Sequence, residues 1–230
     1  MFKSLISWFR AENLLTQAEN QVLVMLETVH DLFDDSVELF WTGKGATIED
    51  IRERDRAINQ YVREVRKKIL THLAFTGSSD LDLSLVMVNM VVYIERIGDY
   101  TKDMAYLATD HPGGLDAGEL EVSVHAFEKE LSERLQMLYD VFSTDDDDDH
   151  LAPKLTGSHK AMNAKYGEML EVLMDEKKNT LTPSNSAKLS LYLRSLRRVE
   201  GHIYNVASAE VNPFHRISFK AKKKKKETEE

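Results

Sequence analysis

Apolar residues recur every three or four positions along most of this chain. The first run begins at Leu15 and continues through Val22, Val29 and Leu32 to Phe40. This spacing places the apolar side chains on one face of an α-helix, where they can pack against other helices. Glycine (10 residues) and proline (4 residues) are scarce among the 230 residues, which favours long helices over a turn-rich β fold. The sequence therefore predicts an all-α fold.

Short breaks divide the apolar pattern into six predicted helices. Glycine-containing segments at 43–45, 77–79 and 111–114 end the first three helices. Thr47 is placed to cap the second helix, and Thr182-Pro183 has the cap-then-proline pattern that begins the sixth. The predicted helices cover approximately residues 15–40, 51–73, 80–108, 120–142, 158–176 and 183–210.

The chain contains a weak internal repeat. The segment from Asp55 to Asn59 resembles the segment from His159 to Asn163, 104 residues later. Arg96-Ile97 matches Arg198-Val199, 102 residues later. Two helices repeated at nearly one separation indicate a duplicated three-helix unit, in which short loops make neighbouring helices antiparallel. We expect two tandem, pseudo-symmetric three-helix bundles, with a first unit at 1–110, a linker at 111–118, a second unit at 119–215 and a charged, disordered tail at 216–230.

Three carboxylates recur four residues apart in the third predicted helix, at Glu95, Asp99 and Asp103. Residues at this spacing lie on one face of a helix. The second helix carries Asp55 and Asn59 at the same spacing, so antiparallel packing would bring all five side chains to one surface. Oxygen ligands of this kind suit hard cations, which makes these residues a candidate metal site. Their identities do not distinguish iron, manganese, magnesium, zinc and calcium.

An exposed acidic face without a metal explains the same carboxylates. Like charges four residues apart repel each other on a helix, so nearby cations would have to offset them. The second and third helices supply four candidates for that role: Arg52, Arg56, Arg63 and Arg96. From the residues alone, the metal site and the solvated acidic face both stay open.

Composition excludes several functions. The net charge of −9 argues against general nucleic-acid binding, and the absence of cysteine excludes disulfides and thiolate metal sites. Neither a glycine-rich phosphate loop nor a nucleophile elbow occurs. The longest apolar run, 83–94, is shorter than the about 20 residues that cross a membrane. The first ten residues lack the features of a secretory signal, so we expect a cytoplasmic protein.

Four other features carry weaker signals. Glu27 and His30 have the Glu-x-x-His spacing of ferritin-like di-iron bundles, but that chemistry needs a second such motif, and none occurs. The aromatic segment 2–10 is expected to pack against the bundle end or to contact a membrane or partner. The acidic run 145–149 and the lysines 222–226 are expected to be solvated, with anionic lipid as the alternative for the lysines.

Residues 94–105, Ile-Glu-Arg-Ile-Gly-Asp-Tyr-Thr-Lys-Asp-Met-Ala, resemble the signature of PhoU-type phosphate-uptake regulators. With the helix order and the repeat, the resemblance covers about residues 10–215. It implies two side-by-side three-helix bundles in a cytoplasmic, non-enzymatic negative regulator. Such regulators link a membrane phosphate transporter to a sensor histidine kinase, or restrain uptake. The resemblance also implies a homodimer and, in some members, metal clusters held by Glu/Asp-x-x-x-Asp pairs.

The second unit departs from the pattern of that family. The acidic positions of the signature fall on Arg197 and Gly201, and those of the preceding helix fall on His159 and Asn163. Arginine and glycine side chains cannot bind a cation, so we expect no second metal cluster. In the first unit the neutral Asn59 should weaken cation binding. A metal-binding bundle, or an adaptor whose acidic face binds a basic protein without any link to phosphate, are the alternatives to a phosphate regulator.

Overall fold

The computed structural model describes residues 2–110, 115–144 and 150–220, with side chains described for 14–109, 115–144 and 150–220. These ranges contain six α-helices and no strand, which confirms the all-α prediction. The helices are α1 (Phe2–Thr42), α2 (Ile48–Thr76), α3 (Leu81–Asp110), α4 (Glu121–Ser143), α5 (Leu151–Met174) and α6 (Pro183–Val211). The predictions for the side chains of 2–10, for 111–114, for 145–149 and for lysines 222–226 lie outside the described residues.

Local sequence signals fix the helix ends. Thr47 and Asp50 form a capping box, in which the Thr47 hydroxyl accepts from the Asp50 amide at 3.2 Å and Asp50 accepts from the Thr47 amide at 2.9 Å. The Thr182 hydroxyl caps α6 by accepting from the Asn185 amide at 3.2 Å, with Pro183 as the first helical residue. Gly77 takes a positive φ of 72° directly after α2, a conformation that glycine adopts without strain.

Helix α5 begins earlier than its sequence indicated. We predicted a start near residue 158, whereas the helix begins at Leu151 and passes through Pro153 and Gly157. Proline is tolerated in the first turn, where its missing N–H has no intrahelical partner to lose. A glycine in a helix is unfavourable but does not break it.

The six helices pack as two three-helix bundles. Helices α1, α2 and α3 contact one another, as do α4, α5 and α6, while α1 packs on α4 and α3 packs on α6. The buried apolar side chains of both bundles form one continuous core. This arrangement confirms the predicted pair of bundles. Within the described ranges, no helix is both long enough and apolar enough to cross a membrane.

Polar side chains also join the two bundles. His30 on α1 hydrogen-bonds Ser132 on α4 at 3.0 Å, so the histidine of the Glu-x-x-His spacing makes a structural contact between bundles. The indole N–H of Trp41 donates to the buried Glu128 carboxylate at 2.7 Å. These bonds satisfy polar groups that the packing of the bundles removes from water.

The PhoU-like signature lies in a part of α3 that packs closely on α2. Its apolar residues, including Ile94 and Ile97, are fully buried. A Cβ atom on Gly98 would lie 3.1 Å from the Cδ1 of Ile58 on α2, so glycine permits this close approach. The neighbouring polar residues of α3 consequently lie beside those of α2.

Candidate functional site

The structure brings Asp55 of α2 together with Asp99 of α3 through an intervening cation. The Lys102 ammonium lies 2.8 Å from an Asp55 oxygen and 3.3 Å from an Asp99 oxygen. Burial alone would lower the pKa of Lys102, but the hydrogen bond and charge of Asp55, followed by those of Asp99, raise it above its ordinary value. Lys102 therefore holds its charge and joins the two helices.

Arg96 neutralises the outer edge of the same surface. Its guanidinium lies 2.8 Å from an Asp99 oxygen and 3.5 Å from a Glu95 oxygen. Of the arginines proposed to offset the acidic face, Arg96 does so directly. Arg52 and Arg56 instead pair with Glu49.

We use the name acidic surface for Asp55, Glu95, Asp99 and Asp103. Burial raises the pKa of Glu95 above its ordinary value, and the charges of Asp99 and Asp55 add to that effect. Burial likewise raises the pKa of Asp103, where Lys102 opposes the shift and the charges of Asp99 and Asp55 favour it. The four carboxylates thus share one electrostatic environment, as their spacing predicts.

The acidic surface fits a basic side chain better than a metal ion in this arrangement. No group of three or more histidine or acidic side chains within the described ranges is placed to hold a metal ion. Asn59 donates its side-chain N–H to the Asp55 backbone carbonyl at 3.0 Å. A cation between Asp55 and Asp99 would have to displace the Lys102 ammonium. The metal site at Asp55, Asn59, Glu95, Asp99 and Asp103 stays a prediction.

The equivalent surface of the second unit is a groove with a volume of about 760 Å³. The positions that replace the signature carboxylates all line it. We use the name basic groove for this feature, whose lining residues are His159, Asn163, Tyr166, Arg194, Arg197, Arg198, Gly201, His202, Tyr204, Asn205 and Ser218.

Three arginines of the basic groove, Arg194, Arg197 and Arg198, form no ion pair with a carboxylate of the residues that the structure describes. The described ion pairs of the arginines are formed by Arg52, Arg54, Arg56, Arg96 and Arg134. In the groove, the Arg197 guanidinium lies over the Tyr166 ring at 4.9 Å and donates to the Asn163 side-chain oxygen at 3.3 Å. The Arg198 guanidinium lies over the Tyr100 ring of α3 at 5.9 Å. An aromatic face and an amide oxygen therefore hold Arg197, and an aromatic face holds Arg198, while no described carboxylate compensates either charge.

The carboxylate of Glu200, which lies beneath this groove, pairs with side chains of its own bundle. The Arg134 guanidinium lies 2.8 Å from one Glu200 oxygen, and His159 lies 3.0 Å from the other. Both Arg134 and Glu200 are buried. Because these two carboxylate oxygens are already paired, Glu200 is not available to neutralise the groove arginines.

His202 lines the basic groove as a neutral side chain. Its ring stacks on Tyr100 at 5.7 Å and tilts against Tyr93 at 5.8 Å. Burial lowers its pKa to about 4, assisted by the positive charges of Arg198 and Arg96, whereas Asp99 opposes the shift. Its Nδ1 atom is buried and has no hydrogen-bond partner within the described part of the chain.

Sequence reasoning missed Lys102 and the basic groove. Lys102 lies within the signature, three residues from Asp99, but its contact with Asp55 depends on the register of α2 against α3. Arg197, Gly201, His159 and Asn163 were treated as a loss of cation ligands. The internal repeat carried a further signal, because it places basic residues at positions that are acidic in the first unit.

The fold and the signature together define a class of protein. Its members consist of two three-helix bundles, and each bundle carries a charged surface where its second and third helices meet. Residues 22–108 match the family model described as the PhoU domain. This match confirms the predicted resemblance to PhoU-type regulators.

Curated relatives and solved structures extend the similarity beyond this domain. The chain is 25% identical over 205 residues to the phosphate-specific transport system accessory protein PhoU homolog of Pseudomonas aeruginosa, a match that covers 86% of this chain and 82% of that protein. A homolog of the same description in Pseudomonas putida is 24% identical, with coverage of 86% and 77%.

Two solved structures share the fold. A crystal structure of PhoU from Pseudomonas aeruginosa superposes with a TM-score of 0.76 at 24% identity, covering 87% of this chain and 96% of that chain. The phosphate transport system regulatory protein PhoU from Streptococcus pneumoniae superposes with a TM-score of 0.76 at 18% identity, covering 87% and 95%. Both similarities span the two bundles.

Proposed function

We propose that this protein is a non-enzymatic regulator of phosphate uptake or phosphate signalling. It acts by binding a membrane phosphate transporter or a sensor histidine kinase from the cytoplasmic side, as a homodimer that associates peripherally with the membrane. The observation that carries the proposal is the signature at 94–105 within the segment that matches the PhoU domain model. The curated relatives, named as accessory proteins of phosphate-specific transport, support the link to phosphate.

The acidic surface is our candidate for the contact with a partner. Asp55 lies on α2, and Glu95, Asp99 and Asp103 lie on α3, so two packed helices hold the carboxylates in fixed positions. Charge complementarity of this kind steers association and selects a partner of opposite charge. We infer that arginine or lysine side chains of the partner approach the carboxylates that Lys102 and Arg96 pair only in part.

A divalent or iron-type metal ion is the alternative ligand of the acidic surface. Carboxylate and amide oxygens suit such cations, and Lys102 would have to swing away from Asp55 and Asp99. Glu95→Ala together with Asp99→Ala should abolish metal uptake and leave the helical fold intact. Elemental analysis of the purified wild type and double variant tests this alternative, and a wild type without stoichiometric metal after growth in metal-supplemented medium would contradict it.

The regulator proposal is tested by deletion and complementation in cells. Loss of the protein should change phosphate uptake, or phosphate-responsive transcription, across a range of phosphate supply. Charge reversal by Glu95→Lys with Asp99→Lys should fail to restore the response. Glu168→Lys with Glu171→Lys, which makes the same charge change on the exposed face of α5, should restore it. Unchanged uptake and transcription in the deletion strain would overturn the proposal.

A further inference from the structure

The two units carry opposite charges on equivalent surfaces. The internal repeat relates Asp55 and Asn59 of α2 to His159 and Asn163 of α5, 104 residues later. On α3 and α6 the separation is 102 residues, so the sequence pairs Glu95 with Arg197, Asp99 with Gly201, Lys102 with Tyr204 and Asp103 with Asn205. Every one of these second-unit residues lines the basic groove.

We propose that the basic groove binds the phosphoryl oxygens of a small anionic ligand. Arg194, Arg197 and Arg198 lie within one turn of α6, and all three side chains are exposed. Like charges at this spacing repel each other, and an anion placed among them removes that repulsion. The planar guanidinium group donates paired N–H bonds to phosphate with matching geometry, which a lysine cluster does not provide.

The other lining residues suit a phosphate group and its attachments. Asn205 supplies an uncharged hydrogen-bonding group, and His202 adds a neutral ring. A Cβ atom built on Gly201 meets nothing within 4 Å, so the missing side chain leaves space at the groove wall. Because Arg134 and His159 pair the Glu200 carboxylate, it does not repel an anion as a free carboxylate would.

The volume of the groove admits two sources of this chemistry. At about 760 Å³ the groove is larger than one phosphate ion requires, and it falls in the range of pockets that hold drug-sized ligands. The rings of Tyr166 and Tyr204 also line the groove, the first under the Arg197 guanidinium and the second stacked on His159 at 4.2 Å. The ligand is therefore either free inorganic phosphate or the phosphoryl group of a larger molecule such as a nucleotide, and binding of each probe distinguishes them.

The test is isothermal titration of the purified full-length chain with inorganic phosphate, ADP and adenosine. Arg194→Gln with Arg197→Gln and Arg198→Gln should weaken binding of the effective probe by at least about tenfold. Arg63→Gln with Arg66→Gln and Lys67→Gln removes three exposed positive charges from α2 and should leave the dissociation constant within about twofold. Binding of phosphate identifies the free ion, and binding of ADP but neither phosphate nor adenosine identifies a larger phosphate-bearing ligand.

A second variant keeps the proposal testable if the triple variant folds poorly. Gly201→Leu fills the groove without changing any charge, in a helix where leucine is favoured over glycine. It should weaken binding by at least about tenfold while circular dichroism shows native helix content. The proposal is overturned if the wild type binds neither phosphate nor ADP below about 10 mM. It is also overturned if the α2 control loses as much affinity as the groove variant, or if Gly201→Leu binds as the wild type does.

This inference goes beyond the proposed function, because it assigns a small-molecule site that regulation through a partner does not require. Titration of the purified protein and phosphate uptake in cells are independent measurements. If the purified protein binds neither phosphate nor ADP, the regulator proposal still stands. If deletion leaves phosphate uptake and transcription unchanged, the anion site still stands.

Discussion

The Lys102 ammonium lies 2.8 Å from the Asp55 carboxylate and so joins the third helix to the second at the acidic surface. Both side chains are mostly buried, with 21% and 14% of their surface exposed. Lys102→Met should lower the free energy of unfolding by about 1 kcal/mol, because Asp55 and Asp99 lose the cation between them. Urea denaturation checks this value.

The matched control for that substitution is Lys129→Met. Lys129 is exposed, and its ammonium lies 3.8 Å from Glu133 on the surface of α4. This change should alter stability by less than about 0.5 kcal/mol. Equal effects of the two substitutions would show that the Lys102 contact contributes nothing particular to the packing of α2 on α3.

Gly98 permits the close approach of α2 to α3. In Gly98→Ala the added methyl group would lie 3.1 Å from Ile58 Cδ1, so the isoleucine would have to move. Gly167→Ala is the control, since its methyl group meets nothing within 4 Å. The control should gain up to about 1 kcal/mol from helix propensity. Gly98→Ala should be less stable than that control by at least about 1 kcal/mol. Equal midpoints in thermal denaturation would contradict the close packing.

Glu200 and Arg134 form a buried ion pair beneath the basic groove. Glu200→Ala leaves the Arg134 guanidinium buried without its carboxylate, so it should cost about 3–5 kcal/mol of stability. Arg134→Met combined with Glu200→Leu should recover most of that loss, because an apolar pair leaves no buried charge. Denaturant titration of the three proteins checks the prediction, and a single variant as stable as the wild type would refute it.

His202 should make stability depend on pH. Its pKa is about 4 in the folded chain, below its ordinary value of 6.5. Between these values the unfolded chain binds more protons, so the stabilising contribution is present above pH 6.5 and is lost as the pH falls toward 4. With allowance for solvent screening of the partly exposed ring, the loss should be about 2 kcal/mol.

The comparison for that titration is His202→Asn against His215→Asn. Arg198, Arg96, Asp99, Tyr93 and Tyr100 surround His202 and stay in place in both variants. His215 is exposed. Thermal denaturation from pH 7 to pH 4 should show a shallower loss of stability for His202→Asn than for the wild type, and no change of slope for His215→Asn. Parallel slopes for the wild type and His202→Asn would contradict the lowered pKa.

Much of the fold follows from local patterns in the sequence. The apolar period defines the buried faces, and Thr47, Gly77 and Thr182 mark helix ends that the structure reproduces. The start of α5 was missed because Gly157 lies in its interior, where neighbouring turns rather than the glycine itself decide the conformation.

The acidic surface was predictable in part. The four-residue spacing of Glu95, Asp99 and Asp103 places them on one helix face, and antiparallel packing of α2 on α3 brings Asp55 beside them. The pairing of Lys102 with Asp55 was not predictable, because it depends on how far α2 slides along α3. Contacts between bundles, such as Trp41 with Glu128, join residues 87 apart in the chain. No short-range pattern encodes such a contact.

We propose that this chain regulates phosphate handling by binding a membrane protein. The most direct test is crosslinking in cells grown at high and at low phosphate, followed by capture of this protein and identification of what accompanies it. We expect a phosphate transporter or sensor histidine kinase whose yield changes with phosphate and falls after charge reversal at Glu95 and Asp99. Capture of soluble proteins alone, in amounts independent of phosphate, would contradict the account.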